Sequence, residues 1–347
     1  MRLLQMRKIF CIRMKNIFSC AGGKRRIVGR VYVGIALISL SLLGAACGAG
    51  PGAVGDSGHG KLDVVASTTQ IRDFARQVGG REAVVYQILK PNTDPHEYEP
   101  RPTDVEATAG AKLVFVNGDG LDSWMGKVVS ESGSRAKVVD LGKSVPVKLP
   151  GESAGDEASR YDPHWWHNPQ NAEAAVRKIR DAMITADPAH KTVYEKNAAA
   201  YLEKLKKLDA GIRACMKKVP ERKRKLVTDH DAFNYFARRY GIKVVGAVIP
   251  SQSVQAQPSA GETSRLVSLI RREHVKAVFP EKSVNADLAR TIAHETGASS
   301  RYTLYGDALG PKGSDGGTYL KMEAHNASAM VRGFTGGEQG CKPLESK

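Results

Sequence analysis

His96, His164, His230 and Asp307 are the side chains of this sequence best suited to chemistry. They close four short segments: residues 90–96, Asp-Pro-His at 162–164, Thr-Asp-His at 228–230 and Leu-Tyr-Gly-Asp at 304–307. Three imidazoles and one carboxylate make a complete set of ligands for a divalent ion such as zinc. The four are spread over most of the chain, so an ion held by all of them must sit between distant parts of a folded protein, not in a local finger. A lone loop histidine is more commonly a hydrogen-bonded or exposed residue. The joint pattern carries more weight, because all four occupy the same topological position beyond an apolar run. Asp94 and Glu97 flank His96 and are placed to orient its imidazole. His167, three residues after His164, competes for the second position. His190, His274, His294 and His325 fall within or beside helical stretches and read as surface or satisfied residues.

The elements that must position these residues alternate. Apolar strand-like runs at 62–66, 84–89, 113–116 and 137–139 are separated by helical spacing at 71–78, 103–109 and 121–132. Alternation of this kind predicts an α/β fold with a parallel sheet flanked by helices. A polar loop spans 143–160, and a helix follows at 171–186. Between 188 and 218, Tyr194, Ala198, Tyr201, Leu202, Leu205, Leu208 and Ile212 recur at three- and four-residue spacing, the mark of an amphipathic helix. Asp187 is the expected N-cap, with Pro188 in the first turn. About 30 residues at 1.5 Å each give roughly 45 Å, long enough to bridge two lobes. Strands at 226–228, 244–249 and 276–279 then alternate with helices at 232–240, 259–272, 286–296 and 319–331. Ser259 and Glu262 form a capping-box pattern.

In open parallel sheets, ligands bind beyond the carboxyl ends of the strands. The expected architecture is therefore two lobes, each a parallel sheet flanked by helices, bridged by one long helix, with two candidate ligands from each lobe. The boundaries read as a signal segment at 1–46, a flexible tether at 47–60, an N-terminal lobe at 61–186, the bridging helix at 187–219, a C-terminal lobe at 220–335 and a tail at 336–347.

The formal net charge of +16 is partly local. Residues 1–46 hold nine Lys or Arg and no acid, leaving 43 basic and 36 acidic residues in the remainder, a net of +7. No aromatic-interleaved basic stripe accompanies that surplus, so no nucleic-acid partner is expected. The basic stretch 217–225 reads as a solvated helix end. A basic region, the apolar run 31–43 and Gly44, Ala45, Ala46, Cys47 form an export signal. The run is short for a membrane span, which needs roughly 20 apolar residues. Small residues before Cys47 resemble a bacterial lipobox, with Gly44 where leucine is usual; an uncleaved anchor is the alternative. Both place the rest of the chain outside the cytoplasm. Residues 48–60 read as a tether in which His59 has no role. Cys11 and Cys20 fall in the signal region. Cys215 and Cys341 remain, and an exported compartment permits them to pair.

Several of these stretches carry a family resemblance. Asp-Pro-His-Glu-Tyr-Glu-Pro at 94–100, Asp-Pro-His-Trp-Trp-His-Asn-Pro at 162–169 and Thr-Asp-His-Asp-Ala-Phe-Asn-Tyr-Phe-Ala-Arg-Arg-Tyr-Gly at 228–241 resemble the zinc/manganese ABC-transporter substrate-binding lipoproteins. Phe-Pro-Glu at 279–281 and Leu-Tyr-Gly-Asp-Ala-Leu-Gly at 304–310 continue the likeness in order, over about residues 62–333. The resemblance implies an ion between two α/β lobes joined by a rigid helix, with small lobe movements. It implies His96, His164, His230 and Asp307 as ligands, which demotes His167, and Glu281 as a supporting carboxylate. It also implies delivery to an ABC permease; Cys47 is the expected lipid anchor on the outer face of the cell membrane, and the protein is expected to be a monomer. Manganese-type members typically carry Glu at the third ligand position, where this chain has His230. Three imidazoles suit Zn²⁺ better than Mn²⁺, which favours oxygen; Mn²⁺ is the alternative. The stretch 148–160 lacks the histidine-rich loop often found in zinc-type members and carries only Glu152, Asp156 and Glu157 as charged candidates for that role.

Two other classes compete. A metallohydrolase would keep an open water position and a general base; no HExxH occurs, and Glu281 is the one tempting base. An adhesin-type lipoprotein, in which the metal is incidental, has no residue signature here.

Overall fold

The computed structural model describes residues 60–152 and 158–341. The signal segment, Cys47 and His59 lie outside the described residues, as do Asp156, Glu157 and residues 342–347.

The first half is a four-stranded parallel sheet of β1 (Leu62–Ala66), β2 (Ala83–Gln87), β3 (Leu113–Val116) and β4 (Lys137–Asp140), in the order β2-β1-β3-β4. Val64 lies opposite Val85 on one side and Leu113 on the other. Alternate residues of these strands serve opposite faces. Val64, Ala66, Leu113 and Phe115 join the main core with α1 (Thr69–Gly79) and α4 (Pro169–Ala186). Val65 and Val114 face α3 (Met125–Ser132), packing with Ile88, Met125 and Val128 near α2 (Pro102–Ala109). The expected helix over 121–132 starts only at Met125. Gly118, Asp119 and Gly120 all have positive φ, and the Asp122 carboxylate accepts from Asn117 N and Gly118 N, so its first residues form a turn.

The long helix α5 runs over Lys191–Met216, 26 residues or roughly 39 Å. It is shorter than the sequence pattern suggests because Pro188–His190 form a 3₁₀ turn. Asp187 does not cap it by hydrogen-bonding a backbone N–H; its carboxylate accepts from the Tyr194 hydroxyl at 2.6 Å and lies 2.7 Å from His190 Nδ1. The expected stripe from Tyr194 to Ile212 is buried in full. On one side α5 packs against α1 and α4, where Asn197 Nδ2 donates to Val78 O. On the other it meets α9 (Tyr319–Phe334), and Asp209 takes both guanidinium nitrogens of Arg239 at 2.6 and 2.5 Å.

The second half is built on β5 (Lys225–Thr228) and β6 (Lys243–Ala247), paired in parallel, with α6 (Asn234–Tyr240), α7 (Ala260–Glu273), α8 (Asp287–Thr296) and α9. The capping box at Ser259 and Glu262 forms as expected. The expected strand at 276–279 is reduced to isolated parallel bridges, Thr228 to Phe279, Ala277 to Ser299 and Glu281 to Leu304. Pro280, with no N–H to donate, interrupts any longer ladder there. The second half thus repeats the first with fewer regular strands. One apolar core runs through both halves, including Phe74, Trp165, Trp166, Tyr201, Phe236, Phe279 and Tyr319.

Cys215, near the end of α5, is disulfide-bonded to Cys341, with Cα atoms 5.5 Å apart and a sequence separation of 126. Closing a loop of that length restricts the unfolded chain. Cys215→Ser is expected to cost about 3–5 kcal/mol on that account, as are Cys341→Ser and the double variant. Guanidinium unfolding with and without reductant measures this. A cost that differs between the single and double variants would contradict it.

Candidate metal centre

His96 lies on the loop after β2, His164 just before α4, His230 just after β5, and Asp307 after the bridged residue Leu304. Two Asp-Pro-His tripeptides build the first two positions in the same way. The Asp94 carboxylate accepts the backbone N–H of His96 at 2.8 Å, and Asp162 accepts that of His164 at 2.9 Å. The aspartate side chain closes a short turn, and proline stiffens it.

The four ligand-capable atoms lie within 4.8 Å of one another. His164, His230 and Asp307 are fully buried, and His96 is 6% exposed. The ring of His96 lies 5.6 Å from that of His164 and 5.8 Å from that of His230, and the latter two are 5.3 Å apart. Asp307 Oδ1 sits 3.3 Å from His164 Nε2, and Oδ2 sits 3.3 Å from His230 Nε2. Neither contact has hydrogen-bond geometry, so buried acceptor atoms of both types converge without pairing. A shared cation is what such an arrangement fits.

The outer ring nitrogens are held. His164 Nδ1 lies 2.8 Å from Asp162 Oδ1, and His230 Nδ1 lies 3.1 Å from Glu281 Oε1. In the neutral ring, a carboxylate on Nδ1 favours the proton there and leaves the Nε2 lone pair facing the centre. Glu281 thus touches His230 at its far ring nitrogen. The same oxygen, Oε1, also accepts the His230 backbone N–H at 3.1 Å, while Oε2 has no hydrogen-bond partner. Burial opposes charging of His164, but Asp162 and Asp307 carry its pKa up to about 9. Burial likewise opposes His230, and Asp307 and Glu281 overcome it. Asp307 is held well below the ordinary carboxylate range by the imidazoles, against its burial. Burial and the nearby Asp307 charge push Asp94 up to about 6.

Beside His96, the Asp94 carboxylate accepts its backbone N–H, and Glu97 is exposed. His167 is buried but turned away: its Nδ1 meets Glu323 at 2.8 Å and its ring stacks on Phe233. His190, His274, His294 and His325 stand outside the cluster.

Several supporting residues escaped the sequence reading. Asp162 orients His164 and was visible only as the Asp of Asp-Pro-His. Asp229, the Asp of Thr-Asp-His, accepts Glu281 N at 2.6 Å and so fixes the carboxylate that holds His230. Gln70, in the first turn of α1, donates to Asp307 O at 2.9 Å, and Trp166 Nε1 donates to Gly306 O at 3.2 Å. Gly306 itself permits the close approach, since a Cβ there would stand 2.1 Å from Glu281 Oε2. No sequence spacing signals contacts of this range.

The family described as Zinc-uptake complex component A periplasmic matches residues 64–333. The manganese-binding lipoprotein MntA of Halalkalibacterium halodurans is 32% identical over 306 residues, covering 88% of this chain and 99% of that protein. The iron-binding protein YfeA of Yersinia pestis is 32% identical over 274 residues, covering 79% and 86%. Among solved structures, the periplasmic zinc binding protein TroA from Treponema pallidum superposes with a TM-score of 0.73 at 28% identity, covering 79% of this chain and 99% of that one. Matched over most of its length and in its fold, this chain belongs to the zinc-uptake component A family of metal-binding ABC-transporter substrate-binding proteins, and it is not an enzyme.

Proposed function

We propose that this protein captures a divalent transition-metal ion, Zn²⁺ in preference to Mn²⁺, between His96, His164, His230 and Asp307, and delivers it to an ABC permease outside the cytoplasm. The observation that carries the reading is the convergence of three imidazoles and one carboxylate on a single buried point. The lipoprotein names of relatives such as MntA support an extracytoplasmic, membrane-anchored location. Anchoring through Cys47 is part of the same reading. The ion is cargo, held by ligands on two halves of the molecule, which suits capture and release.

The choice of metal rests on His230. Three nitrogen donors favour zinc on grounds of ligand type. Relatives named for manganese, iron and zinc are all similar to this chain, so kinship does not select among them. Manganese is the second reading, supported by the manganese-binding name of MntA and by the two oxygens that Asp307 can offer.

Native mass spectrometry in chelator-buffered zinc and manganese tests the preference. Wild type is expected to load zinc first. His230→Glu is expected to move the balance toward manganese, and His230→Ala to lose more than about 100-fold in affinity, beyond the 10–100-fold typical of an outer partner. Manganese preference in the wild type would overturn the metal assignment and leave the fold intact.

An ion must displace protons from the imidazoles it binds. Because the pKa values of His164 and His230 are raised in the metal-free protein, protons compete at neutral pH, and affinity is expected to fall as pH drops. Each displaced proton gives roughly a tenfold change per pH unit. Calorimetry in buffers of different ionisation enthalpy should register proton release on binding. Absence of release would contradict the site.

The continuous core along α5 implies small lobe movement. Small-angle scattering is expected to change little when zinc is added, and a large compaction would count against this.

A further inference from the structure

An ion cannot pass in or out of this site without movement, because three of its four candidate ligands are fully buried and His96 is 6% exposed. The ways out are not equivalent. Around Trp165, Trp166, Phe236 and Tyr319 the two halves share apolar core, and parting them would expose aromatic surface to water. On the side of His96, the one ligand with any exposure, the loop after β6 reaches the first half through polar contacts, and a backbone bond from Asn92 N to Leu309 O joins the halves nearby.

That loop, residues 250–255, reaches two separate parts of the first half. Gln255 Nε2 donates to His96 O at 2.6 Å. Glu152 grips the same loop from beside the bridge between Pro150 and Tyr161: its carboxylate accepts from Ser251 Oγ at 3.1 Å and from Gln252 N. Gln252 Nε2 adds a bond to Pro150 O at 3.3 Å. Ser251 O in turn accepts from Asp231 N, next to His230. Gln255 is exposed, and Glu152, Ser251 and Gln252 are partly so, while Ser253 and Val254 are buried. Water can replace such bonds at small net cost. Parting this seam therefore costs less than parting the aromatic core.

We propose that the loop 250–255 is the gate through which the metal ion passes, with Glu152 and Gln255 as the positioning residues that hold it shut. The proposal rests on the reading that the ion occupies the four-residue site. Glu152 and Gln255 set how often the site opens and touch no ion. Their loss should speed uptake and release together, because both need the same opening.

Stopped-flow transfer of zinc from the loaded protein to a chromogenic chelator, and from free zinc to the metal-free protein, tests this. The variant Glu152→Ala/Gln255→Ala is expected to release zinc about tenfold faster, as the loss of a few exposed hydrogen bonds allows. Uptake should accelerate in step, with affinity within about threefold of wild type and an unchanged melting temperature. Glu152→Gln, which keeps an acceptor for Ser251, should restore most of the slow exchange. Asn197→Ala removes a bond between α5 and α1 away from the loop, and should leave exchange unaltered. Release within about twofold of wild type in the double variant would overturn the gate. So would lost affinity with unaltered uptake, which would make these residues determinants of affinity instead. Failure of the ligand assignment would look different: a wild-type chain that takes up no zinc, which would overturn the gate with it.

Discussion

The structure turns on the burial of three imidazoles and one carboxylate around a single point. Burying such groups is costly, and the attraction between Asp307 and the protonated rings of His164 and His230 does not by itself fix where they sit. What holds them is the ring of carboxylates and backbone groups outside. Asp162 and Glu281 grip the far nitrogens of His164 and His230, Asp229 grips the backbone of Glu281, and Gln70 grips the carbonyl of Asp307. Each is buried, so each pull acts in a medium of low polarity where it is strong. The attraction for a cation is built into this scaffold before any ion arrives.

The scaffold needs two halves that keep their relative position, and the packing supplies this. The amphipathic stripe on α5 faces α1 and α4 of one half and α9 of the other, while the Arg239–Asp209 pair and the disulfide tie its C-terminal part to the second half. A sheet end places a residue only to within a loop's freedom; the tight turns at Asp-Pro-His and the absent side chain at Gly306 remove the rest.

How much of this was legible in the sequence follows from the range of the interactions. Period-two and period-3.6 patterns report burial of one face, so the strands of the first sheet and the stripe from Tyr194 to Ile212 could be read directly. The candidate ligands could be found because ligand type and position after a strand are local properties. The start of α5 was misplaced because Asp187 has a partner, Tyr194, that competes with the backbone for its carboxylate. The strand at 276–279 looked regular because its residues are apolar, yet apolarity records burial and not ladder pairing. Asp229 and Gln70 were invisible as supports, since the groups they hold lie 52 and 237 residues away.

The two Asp-Pro-His turns have one more consequence. Each sets the backbone of its histidine within three residues, so the first half of the molecule carries its share of the site as local structure. His230 and Asp307 depend instead on partners 51 and 237 positions distant. A chain still threading out of a membrane could shape the first pair, but not the second. Under the proposed ligand set, metallation follows completed folding, the reverse of a zinc finger, whose chain needs the ion in order to fold.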